Sequence, residues 1–405
     1  MTNTASMPRR KSVLISGASI AGPALAFWLH RAGYDVVVVE RSPALRRGGQ
    51  NVDVRGAGRE VARRMQIEDA IRAATTGEVG VRFVDEHNQV IGEFPAGTGD
   101  SDGATAELEI LRGDLAALLY ERTKDDVTYR FGRQITAIAE NDTGVVVSFD
   151  DGSHETFDLV VAADGVRSRT RSLIIGDAFS IKPLDFYTSY FTIDKGHDDS
   201  AWARWFNAPA GRTSTLRPDN VGTTRATLSF VSSERGLDDL DDAGVRAMLR
   251  EKFGDLGWEV PRILDGVDGA DDFYFEDLAQ VMATTWSKGR CALTGDAAWC
   301  ATPISGRGTS LALLGAYVLA GELGRHASHV DAFAAYEQVM RPFVDEAQQL
   351  PPGAPRIANP KSELGIALFN TAIRVAAGPV GTVLGKVFSG SSSEAHAVPD
   401  YDLKV

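Results

Sequence analysis

A glycine and an aspartate, Gly295-Asp296, end an apolar run at residues 291–294 and are followed by Pro303, Gly306, Arg307, Gly308 and Thr309. That order reads as strand, turn, helix, with an apolar helix over residues 311–323 and Thr309 or Ser310 as its cap. The start of such a helix aims free N–H groups and partial positive charge at whatever covers the loop, and glycine lets that partner approach the backbone. Phosphate has the required chemistry. The carboxylate of Asp296 favours a different partner, because it repels phosphate and accepts hydrogen bonds from sugar-like hydroxyls such as those of a flavin's ribityl chain. An ordinary core strand and helix joined by a glycine-rich turn would read the same way from this segment alone.

A second constellation stands near the N-terminus, where Gly17-Ala18-Ser19-Ile20-Ala21-Gly22 follows the short apolar stretch 12–16. A helix over 23–32 and a second strand over 34–39 ending in Glu40 complete a βαβ unit of the dinucleotide-binding kind. Gly17 makes the turn, Gly22 lets helix and strand pack closely, and the helix start takes a pyrophosphate. Glu40 lies 23 residues after Gly17, where a carboxylate can receive both hydroxyls of an adenosine ribose. A nucleophile elbow with Ser19 as attacking serine is the rival reading; its fifth residue is Ala21 rather than glycine, and it leaves the Glu40 strand unexplained.

Other residues extend these two sites. Arg41 could contact adenine or ribose, and Arg46 and Arg47 flank a Gly48-Gly49 hinge that leads into a strand carrying Asp53. Arg112 sits in the first turn of a helix, where the dipole disfavours a cation unless an anionic ligand is near. Asp164-Gly165 follows the apolar strand 159–163 and precedes a basic helix start, at the carboxyl end of a parallel strand where open α/β sheets bind ligands.

The elements that must position these residues follow from periodicity. Residues 12–182 and 287–350 read as two parts of one Rossmann-like α/β domain, with a helix over 58–73 and a hairpin through His87-Asn88. Residues 183–286 change texture to long alternating, aromatic strands around an amphipathic helix at 241–253, a largely antiparallel substrate domain inserted between them. Tyr190, Arg204 and Phe206 are the sheet residues expected to face a flat ligand, with Ile304 opposite them on the glycine loop. A C-terminal helix over 351–388, broken at Gly378-Pro379, and a flexible tail over 389–405 close the chain.

Composition narrows the partners. With 42 basic against 55 acidic residues and a net charge of −13, non-specific binding to nucleic acid is not expected. Two cysteines without metal-type spacing give neither a disulfide framework nor a metal site, which fits a reducing cytoplasm. Arg9-Arg10-Lys11 before an apolar run imitates a secretory leader. Gly17, Gly22 and Pro23 within that run, and the strand directly after it, argue for the βαβ unit instead, and no run has the length of a membrane span.

Taken in order, the Gly17–Gly22 turn with Glu40-Arg41, the Gly48-Gly49 loop to Asp53, Arg112-Gly113-Asp114-Leu115, Asp164-Gly165 with Ser168 and Arg171, and Gly295-Asp296 to Gly308 resemble class A flavoprotein monooxygenases. That is the group of para-hydroxybenzoate hydroxylase; within it the chain is most similar to tetracycline-inactivating and related antibiotic-modifying enzymes. The resemblance implies FAD held by Gly17, Ser19, Ile20, Ala21, Gly22 and Glu40 at its ADP half, with Arg112 and Asp296 towards the pyrophosphate and ribityl chain. It also implies that NAD(P)H and O2 are used to hydroxylate an aromatic, phenolic or enolic polycyclic small molecule through a flavin C4a-hydroperoxide. No side chain is then needed as catalyst, because the cofactor carries the chemistry. An FAD-dependent dehydrogenase or epoxidase, and a flavoprotein that sequesters a drug without oxidising it, are the alternatives. The departures are Ser19 for a usual glycine, Trp299 for a usual histidine, Arg307 for a common glutamine and Thr309 for a common asparagine.

Overall fold

The computed structural model describes residues 9–46, 48–97, 106–350, 353–378 and 397–403. A six-stranded sheet holds the nucleotide-type half, in the order Ser287–Lys288, Cys291–Leu293, Leu159–Ala162, Ser12–Ser16, Asp35–Glu40 and Thr128–Phe131. All neighbours pair in parallel except the Ser287–Lys288 edge. Its central strands are runs of Val, Leu, Ile and Ala because both faces are covered, the condition under which a parallel strand loses alternation. Val13, Leu14, Val160 and Leu293 are all fully excluded from solvent. Helices Ala21–Arg31 and Gly308–Arg325 meet through Trp28 and Tyr317, whose rings lie 4.9 Å apart edge to face. Trp299, which replaces the usual histidine, packs against Trp286 at 4.5 Å and Tyr336 at 5.8 Å. Its role here is core volume.

The second sheet has seven strands, in the order Tyr274–Ala283, Phe179–Ile193, Thr224–Val231, Arg212–Pro218, Trp202–Ala208, Gly80–Val84 and Val90–Pro95. Only the Trp202–Ala208 and Gly80–Val84 pair runs parallel. The sheet therefore includes the hairpin at 80–95, which local reading assigned to the first part of the nucleotide half. Helices Asp242–Phe253 and Val260–Gly269 cover one of its faces, over a core that includes Tyr187, Phe191, Phe206, Leu228 and Phe253. A three-stranded antiparallel sheet at 135–157 flanks the parallel one. The architecture is thus mixed α/β: a Rossmann-like sheet, a largely antiparallel second sheet and C-terminal helices.

Several local expectations change. The helix expected over 58–73 is two helices, Gly56–Arg64 and Glu68–Ala73. Gln66 takes a left-handed conformation at φ 58°, and Ile67 N donates to Ala62 O at 3.0 Å, the closing pattern that ends a helix. The glycine-loop helix starts at Gly308 without a side-chain cap, and Ser310 Oγ accepts instead from Arg55 N at 3.0 Å. Helix Glu363–Ala377 stops at Gly378, and the expected continuation to 388 lies outside the described residues. The tail is docked where it is described. Tyr401 is buried against Gly321, its hydroxyl bonds Glu322 Oε1 at 2.5 Å, and Arg64 Nη1 reaches Pro399 O at 2.8 Å.

Candidate functional site

One cavity of about 1010 Å³ runs from the carboxyl ends of the parallel strands to the face of the seven-stranded sheet opposite helices Asp242–Phe253 and Val260–Gly269. Roughly 300–1,000 Å³ suffices for one drug-sized ligand, so this volume has room for an extended molecule and a second, smaller one.

The turn at its nucleotide end depends on glycine twice. Gly17 sits at φ 111°, and a Cβ there would lie 2.4 Å from Ala163 O; a Cβ on Gly22 would lie 1.9 Å from Gly17 O. Helix Ala21–Arg31 then begins with Ile20 at the cap position, no side-chain cap and no acid in its first turn. Its first N–H groups have no side-chain acceptor and keep their partial positive charge for a ligand. Ile20, Ala21, Glu40 and Arg41 line this end. Glu40 is also tied to its own turn, with Oε2 accepting from Ala18 N at 3.0 Å and Oε1 from Ser42 N at 2.9 Å. Each carboxylate oxygen has a second lone-pair site, so ribose hydroxyls and the turn are compatible partners.

Arg112 crosses the middle. Its guanidinium donates to Ser19 Oγ at 3.0 Å and Gly48 O at 2.7 Å, and a Cβ on Gly49 would come within 2.4 Å of Nε. Ser19, standing for the usual second glycine, thus supplies the hydroxyl that orients this arginine. Burial lowers the Arg112 pKa, and the positive Arg46 adds to that, yet an arginine stays charged in any protein setting. Arg46 is exposed at the rim, and Arg47 lies outside the described residues. Asp53 lines the cavity but is held by Arg55 Nη2 at 2.7 Å. Asp164 accepts from Thr170 Oγ1 at 2.9 Å and from Ser168 Oγ, and burial raises its pKa. Its carboxylate serves the loop that starts the Arg169–Ile175 helix.

The glycine loop forms the floor. Gly295 takes φ 61°, Gly306 takes φ 62°, and Thr302, a β-branched residue, is held at φ 82° with Oγ1 unpartnered. Backbone strain of that kind persists where a site needs it. Asp296 is half-buried beside Cys300, and desolvation raises its pKa. Pro303, Ile304, Gly306, Gly308 and Thr309 line the cavity, and helix Gly308–Arg325 opens onto it uncapped. Arg307 departs from expectation. Its guanidinium pairs with Glu346 at 2.5 Å on the neighbouring helix, and it is absent from the cavity wall.

The sheet end also differs. Tyr190 faces the cavity, but the Phe206 side chain lies on the helix-covered face, against Trp258 at 5.3 Å. Arg204 edges the wall while its guanidinium pairs with Asp199 and, at 2.9 Å, with Glu259 on that same far side. Side chains alternate along a strand, so Ala203 and Trp205 take the places assigned to Arg204 and Phe206. With Thr188, Thr213, Thr215, Thr227 and Ser229 they make a wall rich in hydroxyls.

Two further cavity residues, Tyr274 and Glu276, escaped sequence reading. Glu276 Oε2 accepts from Tyr274 OH at 3.2 Å, and Oε1 is buried without a partner. Burial pushes the Glu276 carboxyl up to about 7, against the pull of Tyr274 and with help from nearby Asp296. The signal for it was a carboxylate inside the aromatic strand 273–281.

The uncapped helix starts, the glycine cradle, Arg112 and the partnerless oxygens fit a long cofactor with anionic and hydroxylated parts, and FAD has both. A family model described as an FAD binding domain matches residues 10–350. An FAD-dependent monooxygenase of Sarocladium schorii is 35% identical, over 92% of this chain and 93% of that protein. A flavin-dependent monooxygenase of Legionella longbeachae is 38% identical, over 85% and 88%. Among solved structures, the tetracycline destructase Tet(51) superposes with a TM-score of 0.80 at 31% identity, over 97% of this chain and all of the other.

Proposed function

This chain belongs to the FAD-binding-domain family as a class A flavin-dependent monooxygenase, and from that premise we propose that it uses NAD(P)H and O2 to hydroxylate a phenolic or enolic polycyclic small molecule. The observation that carries this reading is the continuity of the cavity, with a dinucleotide cradle at one end and a two-sided slot at the other. Bound FAD would supply the electron transfer from NAD(P)H and the activation of O2.

The residues divide the remaining tasks. Glu40 and the Ala21–Arg31 helix start would hold the adenosine and pyrophosphate, and Arg112, oriented by Ser19, would neutralise the anionic centre. Asp296 would receive the ribityl hydroxyls, and the uncapped start of helix Gly308–Arg325 would favour negative charge on the reduced ring. Trp205, Tyr190 and Ile304 would close on a flat substrate and keep water from it. The threonine wall would meet its oxygens. Arg46 and Arg47, beside the Gly48-Gly49 hinge, would meet the negatively charged nicotinamide cofactor, for which the described residues form no separate nucleotide fold.

The test follows NAD(P)H oxidation and O2 uptake together while purified FAD-loaded protein is offered polycyclic phenols and enols. Tetracycline comes first, since a structural relative is a tetracycline destructase. Stimulated uptake with one oxygen atom incorporated into a product is expected. NAD(P)H loss without O2 incorporation would replace this reading with a dehydrogenase, and binding without turnover with a sequestering protein.

A further inference from the structure

Glu276 is a carboxyl with no structural task to explain it. It stands on strand Tyr274–Ala283, opposite Thr188 in the register of the sheet, and lines the cavity at the seam between the substrate wall and the glycine loop. The ionisable groups around it come from every neighbouring element. Tyr274 on its own strand donates to Oε2 at 3.2 Å, and Tyr190 on the adjacent strand stacks on Tyr274 at 6.4 Å. Asp296 and Cys300 face it from the glycine loop, and Arg112 from across the cradle. The Tyr190 hydroxyl also faces the carboxyl and pulls its pKa down, but the buried Oε1 accepts no well-formed hydrogen bond. A buried carboxylate oxygen left unpaired is costly, and its cost is recovered when something in the cavity offers it a proton.

Resting on the monooxygenase reading above, we propose that Glu276 is a catalytic residue of this site: the general base that takes the proton of the substrate's phenolic or enolic hydroxyl. The substrate O–H bond breaks, the proton passes to Glu276 Oε1, and the electron pair stays on the substrate oxygen. The anion so formed is richer in electrons at the carbons beside it, which is the form that oxygen transfer to an aromatic or enolic carbon requires. No oxidant enters this step. The Tyr274 hydroxyl holds the other carboxylate oxygen in place and leaves Oε1 pointing to the substrate. A carboxyl tuned near neutrality by burial suits a base acting at physiological pH.

The experiment separates proton transfer from turnover. Quinizarin, a planar polycyclic phenol, is orange when neutral and violet when ionised, so its protonation state on the FAD-loaded protein is read directly from the visible spectrum. Wild type is expected to bind it violet at a pH a little above 7, where Glu276 is ionised and free dye is still orange. Glu276→Gln, which preserves shape, is expected to bind it orange, and Glu276→Asp to give an intermediate spectrum. With a turned-over substrate, kcat/KM should rise with pH through about 7 in wild type, and Glu276→Gln should lose that rise and roughly 10²-fold in rate. FAD content and melting temperature check that each variant is folded. Violet dye on Glu276→Gln, or no violet dye on wild type, overturns the assignment, whereas the monooxygenase reading stands or falls on O2 incorporation alone.

Discussion

Glu40 accepts hydrogen bonds from two N–H groups of its own turn and also opens onto the cavity, so its removal has two separable effects. Glu40→Ala should weaken FAD binding by roughly 1–3 kcal/mol, the cost of leaving ribose hydroxyls and turn amides unpaired. Isothermal FAD titration beside the melting curve of the flavin-free protein tests this; a fall in melting temperature with unchanged FAD affinity would leave Glu40 as a turn residue only. The buried carboxyls make a pH prediction. Glu276 titrates near 7 when folded and near about 4.3 when unfolded. The folded state therefore holds the proton more tightly, and the group's stabilising contribution is complete below about 4.3 and is lost as pH rises to 7. Asp296 is shifted in the same direction. Chemical denaturation of flavin-free protein between pH 5 and 8 should show falling stability, and Glu276→Gln should flatten it; an unchanged slope would contradict the burial argument.

At the scale of elements, helix Gly308–Arg325 is long, apolar and almost wholly buried, yet its first turn contains no acid and no cap. A helix end left bare at a cavity is a structural cost that binding can recover. Thr309→Asp should stabilise the flavin-free protein by about 0.3–1 kcal/mol through the dipole and at the same time lower FAD occupancy. Equal stabilisation of the free and FAD-bound forms would show that the helix start does not serve the cofactor. The sheet face is likewise decided by element geometry. Tyr190 lines the cavity, whereas the Phe206 side chain and the Arg204 guanidinium lie on the opposite face, because neighbouring side chains of a strand alternate. Arg204 is instead part of a charge cluster with Asp199, five residues before it, and with Glu259 from a separate segment.

For the whole molecule, a charge cluster ties the seven-stranded sheet to the short strand pair Asn51–Asp53 and Glu109–Leu111. Arg217 Nε and Nη2 each bond Glu78 at 2.8 Å, and the same guanidinium meets Glu109 beside the Asn51–Asp53 strand. The end of the chain is a second clasp, with Tyr401 inserted against Gly321 and covered by Arg325 at 4.6 Å. Tyr401→Ala should cost roughly 3 kcal/mol of stability while FAD affinity and turnover of the folded enzyme stay unchanged. A denaturant midpoint like that of wild type would mean that the segment contributes no packing.

The glycine turns and the strands beside them were legible in the sequence because their requirements are local: Gly17 and Gly22 have no room for a Cβ, Glu40 ends the second strand, and buried parallel strands must be continuously apolar. Asp296 was legible for the same reason, since a carboxylate directly after an apolar strand has few other uses. The identity of the cavity wall was not. It depends on which face each strand of the second sheet turns to the cradle, and on partners such as Asn88 and Glu259 for Arg204 or Glu346 for Arg307. Those pairings are set by chain packing across tens to hundreds of residues, and the same packing alone brings the unpaired oxygen of Glu276 beside the glycine loop.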